Sequence, residues 1–580
     1  MSTEQENDYL RRIHELEKQI AQLQTEIKKN SETQYGLRWM NVSEAFEAEA
    51  ENAVPTLEEV KEKAITNDDG KPTHILIEGD NFHALTCLNY THKGNIDVIY
   101  IDPPYNTGSD GFVYKDKRVL DKFPDGTTVP TDHPLRHSYW LSFMHKRLEL
   151  AKNLLSERGV IFISIDDNEQ ANLKLLCDQV FGEKRFVTDV IWRSADSSNN
   201  DSKQFSNDYN HTLVYSQSPT WQPLKIARTE ENNAHYKNPD NDPNGPWFAS
   251  NLSSPNPRAN LMFDIISPQG FVIHPPKNGW RWSKEKMQEF IEKGSIIFPD
   301  EGKRLLKKTY LKDQVGIVPS NIWWDIEITG HNRNAKYELI KLFPELKTSE
   351  IFGTPKPLKL LRRILELTTT NTSIVLDFFA GSGTTMHATM QLNEEDGGHR
   401  QCILVQQNEN NICENVTYER NRRVMQGYTS SKMEHVPGLG NSLKYYRTAF
   451  VGEHDICHIN DADKVALTQK AGCLLALGEN TLEEIKTEKA YQIFQLRKGD
   501  KPANDFGYTA VYFSGDLIHF ADFRREIERI QQEHPLSRIA VYVFTWGDSS
   551  VFENEFDDLS GITIKPIPQP ILEIYLNINK

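Results

Sequence analysis

Cysteine is scarce and scattered: six occur in 580 residues, none in a CxxC pair. That excludes a disulfide framework and fits thiols in a reducing cytosol. Long apolar runs are missing as well. The longest, "VIFISI" and "CLLAL", fall far short of the roughly 20 residues that span a bilayer. The start, "MSTEQENDYL", has no basic stretch ahead of an apolar core, so a cytoplasmic chain without a secretory signal or a membrane partner is expected. No repeat of fixed period and no long low-complexity tract occurs. A Walker motif is absent, and no PD-(D/E)xK pair stands out, so nothing here supplies a nuclease. Positive charge is short too: the net charge is −16, which argues against coating of the whole surface by a polyanion. "HDICH", His454 to His458, offers metal-ligand residue types, but nothing elsewhere completes a set, and no metal site is assigned.

What positive charge there is gathers in one place. From Phe271 to Arg363, 18 lysines and arginines face 11 acidic residues. The stretch holds "KRLLKKTYLK", with Lys303, Arg304, Lys307 and Lys308, and large rings lie nearby in Trp247-Phe248, Trp280, Trp282 and Trp323-Trp324. Basic side chains interleaved with rings suit a nucleic-acid groove. A solvated helix face over core tryptophans explains the same residues equally well.

The length predicts three or four domains. Residues 9–29 place Ile13, Leu16, Ile20, Leu23 and Ile27 at steps of three and four, an a/d seam expected to help form a homodimer, with a boundary at 1–30. Residues 31–70 are acidic, and Pro55 is expected to open a helix over "TLEEVKEKAI". From Thr73 onward, short apolar strands alternate with amphipathic helices. "HILIEGD", "IDVIYID", "VIFISIDD" and "FVTDVIW" read as strands, and "NFHALTCLNYT", "WLSFMHKRLELAKNLLSERG" and "NEQANLKLLCDQVFG" as helices. This rhythm predicts a mostly parallel sheet flanked by helices over 31–217. A polar loop, "RSADSSNNDSKQFSND", follows. Over 218–347 the rhythm is lost among Pro, Asn, Gly and Trp, which reads as an inserted α+β module. It returns over 348–430, and a small α/β unit is expected at 431–580.

Two stretches carry chemistry. "IDVIYIDPPYNTG" ends a buried strand in Asp102-Pro103-Pro104-Tyr105, a carboxylate, a stiff double proline and a ring where no strand can continue. "SIVLDFFAGSGTT" is strand, glycine turn, helix. Asp377 ends the strand, and Gly381 and Gly383 permit a tight turn before a helix N-terminus suited to an anion. It lacks the third glycine of the dinucleotide fingerprint and the lysine of a P-loop. Taken alone, each is explained by an ordinary turn.

Together, the two resemble the amino-methyltransferases that act on DNA. DPPY matches their catalytic motif, and Phe379, Gly381 and Gly383 match their S-adenosylmethionine motif. The catalytic motif comes first, the order of the β class. "FGTPKP" (Phe352 to Pro357, with Lys356) and "IEGDN" (with Asp80) are similar to further cofactor-binding segments, and "DPPYNTGSDGFVYKD", "ISIDDNE" and "TPKP" are close to the modification subunits of type III restriction–modification systems. The resemblance covers about residues 74–410. It implies a Rossmann-like α/β methyltransferase fold with circularly permuted motif order, an inserted target-recognition domain, a coiled-coil helix and a small C-terminal domain. It implies double-stranded DNA as substrate and an ATP-dependent restriction partner. Asp102 and the Pro103 carbonyl would accept the two hydrogens of a flipped adenine's N6 amine, and Tyr105 would stack on the base. An aspartate at the first motif position goes with adenine; N4 of cytosine is the alternative, and a non-catalytic DNA-recognition scaffold is another. Gln406 stands where the family often has an acid for the cofactor's ribose hydroxyls, with Glu409 three residues on, and the choice between them stays open.

Overall fold

The computed structural model describes residues 37–42, 53–107, 118–123, 126–130, 133–348, 350–452, 459–545, 552 and 554–578. The expected coiled coil at 9–29 and the whole of "HDICH" lie outside them. The chain divides into two compact units, one of residues 1–221 and 321–580 and the other of Gln222–Ser320.

The larger unit is built on a ten-stranded sheet. Its order is Val54–Glu59, Ser442–Val451, Thr73–Glu78, Gln401–Gln406, Ile374–Asp377, Ile96–Ile101, Leu155–Ile165, Tyr209–Ser216, Phe186–Arg193 and Ile322–Trp323. Six adjacent strands, from Ser442–Val451 to Leu155–Ile165, run parallel. Their centre is buried on both faces, which is why "HILIE" and "IDVIYI" are near-continuous apolar runs rather than alternating ones. Tyr209–Ser216 is antiparallel to both neighbours, so Phe186–Arg193 again points the same way as Ile96–Ile101. The register that matters most pairs Val375 with Val98 and Leu376 with Ile99. It sets the strand ending in Asp377 beside the strand ending before Asp102.

Several expectations are corrected. "TLEEV" is not helical. Val54–Glu59 is an edge strand antiparallel to Ser442–Val451, with Leu57 and Thr56 buried; an edge tolerates the N–H that Pro55 lacks. The helix from Ser138 stops at Leu154 rather than Gly159, because Leu155 turns extended and pairs with Ile96. The second compact unit is shorter than 218–347. Ile322–Trp323 joins the main sheet beside Ile191–Trp192, and the helix Asn332–Leu342 is held to the main body where Arg423 donates to the Leu342 carbonyl at 2.5 Å. Nor does a separate core begin at 431. Ser442–Val451 completes the main sheet, and Leu474, Leu475 and Leu477 share one core with Leu85 and Leu88. Beyond them lies a five-stranded sheet, Glu483–Thr487, Tyr491–Gln495, Phe506–Tyr512, Arg538–Phe544 and Ile562–Ile567, with the helix Phe520–Glu533 on one face.

The inserted unit has a three-stranded antiparallel sheet of Ile296–Ile297, Leu306–Tyr310 and Trp247–Ser250, and the helix Lys284–Glu292. Its core is small: Ile265, Trp280, Met287, Ile296 and Leu305.

Candidate active site

Parallel strands end together, and the side chains just past their C-terminal tips have no sheet neighbour to satisfy them. Here the tips of Ile96–Ile101 and Ile374–Asp377 open into one cleft lined by Asp80, Asp102, Lys356, Asp377, Phe379, Gly381, Gln406 and Glu409. Of the residues expected at the active and cofactor sites, Pro104 also lines it. Pro103, Tyr105, Pro357 and Gly383 are not among its lining residues.

Asp102 is gripped on both oxygens. The Tyr105 hydroxyl donates to Oδ1 at 2.7 Å, and Lys356 Nζ lies 2.6 Å from Oδ2. Lys356 Nζ also sits 5.1 Å from the Tyr105 ring centroid. Burial, with the Asp102 charge beside it, pushes the Tyr105 hydroxyl well above its ordinary pKa, so it stays a donor. The double proline is fixed from behind, where Trp140 Nε1 donates to the Pro104 carbonyl at 2.7 Å. Lys356 was expected among the cofactor contacts; its ammonium rests on the Asp102 carboxylate, while its carbonyl accepts from Thr384. Pro357 precedes and starts the helix Leu358–Thr368.

The glycine turn is shaped from below. Asp377 accepts from the Phe379 N–H at 3.0 Å and from Thr385 Oγ1 at 2.5 Å. Its complete burial raises its pKa to about 7. Gly383 holds φ +74°, and a Cβ there would meet Asn421 and stand 3.1 Å from the Thr417 carbonyl, so the position demands glycine. The Gly381 N–H donates to Gln406 Oε1 at 2.7 Å, and Gln406 Nε2 donates to the Gln407 carbonyl at 3.0 Å. Gln406 therefore spends both ends of its amide on shaping the turn, and Glu409, exposed on the lining, is left facing the cleft.

The opposite wall was only partly legible. Asp80 caps the helix Asn81–Thr91 through the Phe82 N–H at 2.7 Å and meets Arg147 at 3.2 Å. Arg147, fully buried, also donates to Asn81, whose amide donates to the Phe378 carbonyl at 3.0 Å. Phe143 lies between Arg147 and Arg118, each guanidinium 3.8 Å from its ring centroid. Asn81, Arg118, Phe143 and Arg147 were missed. The usable signal was an arginine inside the apolar stripe Trp140, Phe143, Met144, Leu148 of an amphipathic helix.

The residues expected to contact nucleic acid sit in the inserted unit, and two of them are corrected. Trp280 is 3 % exposed and donates its Nε1 to the Phe263 carbonyl at 2.6 Å, a core residue rather than a stacking platform. Lys308 is 5 % exposed and pairs with both Asp240 and Asp242. "KRLLKKTYLK" contributes a strand, so alternate side chains take opposite faces: Lys308 goes to the two aspartates, and Lys307 covers the rings of Phe290 and Trp282 at 4.7 and 5.3 Å. Lys303 and Arg304 are exposed, the latter 3.2 Å from Asp300. Among the described residues, no group of three or more His, Cys, Asp or Glu is placed to hold a metal, and no helix is long and apolar enough to cross a membrane.

The chain is similar to known proteins. Residues 96–416 match a family model described as DNA methylase. The chain is 37 % identical over 356 residues to the type III restriction-modification enzyme StyLTI Mod subunit of Salmonella typhimurium, covering 58 % of this chain and 53 % of that one. It is 30 % identical over 441 residues to the EcoP15I Mod subunit of Escherichia coli, covering 67 % and 66 %. It is 29 % identical over 400 residues to the type II methyltransferase M.KpnI of Klebsiella pneumoniae, covering 64 % and 90 %. The matches thus span about half to two thirds of the Mod subunits.

Proposed function

The chain belongs to the DNA methylase family whose model spans residues 96–416, and from that membership we propose that it transfers a methyl group from S-adenosylmethionine to the N6 amine of adenine in duplex DNA. One observation carries this reading. The register of Leu376 against Ile99 brings the acid–proline–proline–tyrosine tip and the glycine turn into one cleft.

The cleft's donor set fits the methyl donor. A glycine turn that lets backbone approach, the Phe379 and Phe352 rings, and carboxylates at Asp80 and Glu409 match an adenosyl group joined to an amino acid. Glu409 is assigned the ribose hydroxyls, because Gln406 already holds the Gly381 N–H. When bound, S-adenosylmethionine supplies an electrophilic methyl on sulfur. The protein's part is positioning. The adenine amine has its lone pair drawn into the ring, so it gains nucleophilicity when acceptors hold its two hydrogens in fixed directions. Asp102 Oδ1 or Oδ2 takes one hydrogen, with Tyr105 or Lys356 yielding its place, and the Pro103 carbonyl takes the other. Tyr105, tied down through its hydroxyl, offers a face to a base flipped out of the stack, a contact worth about 1–3 kcal/mol.

The relatives' names support a finer proposal: the chain is the modification subunit of a type III restriction–modification enzyme, working with an ATP-dependent restriction subunit. In that reading the fold is the circularly permuted β-class form, the Gln222–Ser320 unit reads the DNA sequence, and two copies of the chain associate.

The test is direct. The chain is incubated with methyl-tritiated S-adenosylmethionine and duplex DNA, and the DNA is digested to nucleosides. Label in N6-methyladenine is expected. Label in N4-methylcytosine refutes the base assignment, and unlabelled DNA refutes the activity.

A further inference from the structure

"ISIDDNE", singled out in the sequence, has no part in the chemistry above. Its strand, Leu155–Ile165, lies next to the catalytic-motif strand and ends at the same edge. Glu169, just past the tip, has a side chain with no exposed surface. A buried carboxylate is costly unless donors surround it, and here they come from three elements. Asn106 Nδ2 donates to Oε1 at 2.7 Å, His137 Nδ1 lies 2.6 Å from the same oxygen, and Asn172 Nδ2 donates to Oε2 at 2.8 Å. The hydrogen bond that His137 gives to Glu169 raises the pKa of His137, which favours the charged, donating imidazolium.

Two of these donors lead straight to the cleft. Asn106 follows Tyr105 and holds a left-handed φ of +61°. Its Oδ1 accepts the Arg118 N–H at 2.8 Å, so one amide pins both the exit from the catalytic motif and a residue that lines the cleft. His137 immediately precedes the helix Ser138–Leu154, which carries Trp140 to the Pro104 carbonyl and Phe143 and Arg147 to the opposite wall.

We propose that Glu169 is a positioning residue for methyl transfer: through Asn106, and through His137 at the start of the helix that carries Trp140, it fixes the Asp102–Asn106 segment without touching either substrate. The proposal rests on the methyltransferase reading. A displacement of about 1 Å at a reacting group costs on the order of 100-fold in rate, whereas cofactor contacts at the glycine turn lie on other strands.

The test uses Glu169→Gln, Asn106→Gly and the pair together, in the full chain. Glycine suits φ +61°, so Asn106→Gly removes the amide and keeps the backbone. Each single variant is expected to lower kcat by about 30–100-fold, with S-adenosylhomocysteine affinity by calorimetry unchanged within about twofold. The double variant is expected to fall no further than the worse single one, because the two residues act in one chain of contacts. Asn106→Gly within about threefold of wild-type kcat overturns the proposal, as does a double loss equal to the product of the singles, or cofactor affinity falling in step with kcat. If Glu169→Gln melts too low to assay, Asn106→Gly alone decides. A wild type that methylates nothing overturns the underlying reading instead.

Discussion

The strand tips around Asp102 and the Leu306–Tyr310 strand of the inserted unit are equally rich in charge and rings, and they use them in opposite ways. At the tips of parallel strands, polar side chains run off the end of the ladder and converge on a cleft; Asp102, Lys356 and Asp377 all line it. In the inserted unit the same residue types satisfy one another: Lys308, on a strand, pairs with Asp240 and Asp242 in the turn segment before Trp247–Ser250, and Tyr310 donates to Asp242 at 2.9 Å. A basic, aromatic stretch is therefore a weak sign of a binding surface until the facing of each side chain is known.

The largest effect that would sharpen this contrast is at Asp102. Asp102→Ala is expected to lower methyl transfer to DNA by at least about 1,000-fold while S-adenosylhomocysteine still binds, read by tritium transfer and calorimetry. Comparable transfer by the variant would remove the cleft from the chemistry. Next is Lys356, which the sequence placed on the cofactor and the structure places on Asp102. Lys356→Gln is expected to lower kcat about 10–100-fold and to leave cofactor affinity nearly intact; the reverse split would restore the earlier role.

Asp377 gives a pH-dependent effect. Its pKa rises from about 3.8 to about 7 on burial, so the folded state binds the proton more tightly than the unfolded one. Stability of the cofactor-free protein then declines as pH rises from about 4 to about 7. Asp377→Asn is expected to raise stability at pH 8 by about 1–3 kcal/mol, a gain that shrinks as the pH is lowered towards 4. Denaturant melts at several pH values read it, and a pH-independent difference would sink the assignment.

The inserted unit should respond differently. Lys308→Met is expected to lower its thermal midpoint by a few degrees, since two aspartates lose their shared partner, and to leave the salt dependence of DNA binding as it was. Lys303→Ala with Arg304→Ala, both exposed, is expected to change no melting temperature. If they contact phosphates, the log–log salt slope becomes shallower by about 1–2. A flatter slope from Lys308→Met would show that the pairing of Lys308 with Asp240 and Asp242 opens on DNA.

Much of the site was legible because its signals are local. Prolines cannot stay in a strand, and glycines mark turns that other residues cannot make, so DPPY and the Gly381–Gly383 turn declared themselves. Arg147 and Asn81 did not, because a polar residue on a helix's apolar stripe reads as noise until its partner is known. "TLEEV" was misread because a strand's edge pairing with Ser442–Val451, nearly 400 residues later in the chain, leaves no local trace. Lys308 was misread because a run of lysines in a strand looks uniform in sequence while its alternate members face opposite environments.

From its residues alone the chain determined which segments become buried strands and which turns end them, since steric limits and side-chain spacing act within a few residues. Only the tertiary structure decided that the strand before Asp102 lies beside the strand ending in Asp377, that Lys356 rests on Asp102, and that Glu169 holds Asn106 just past Tyr105. Those depend on strand order and register, which are settled by the collective burial of the whole sheet.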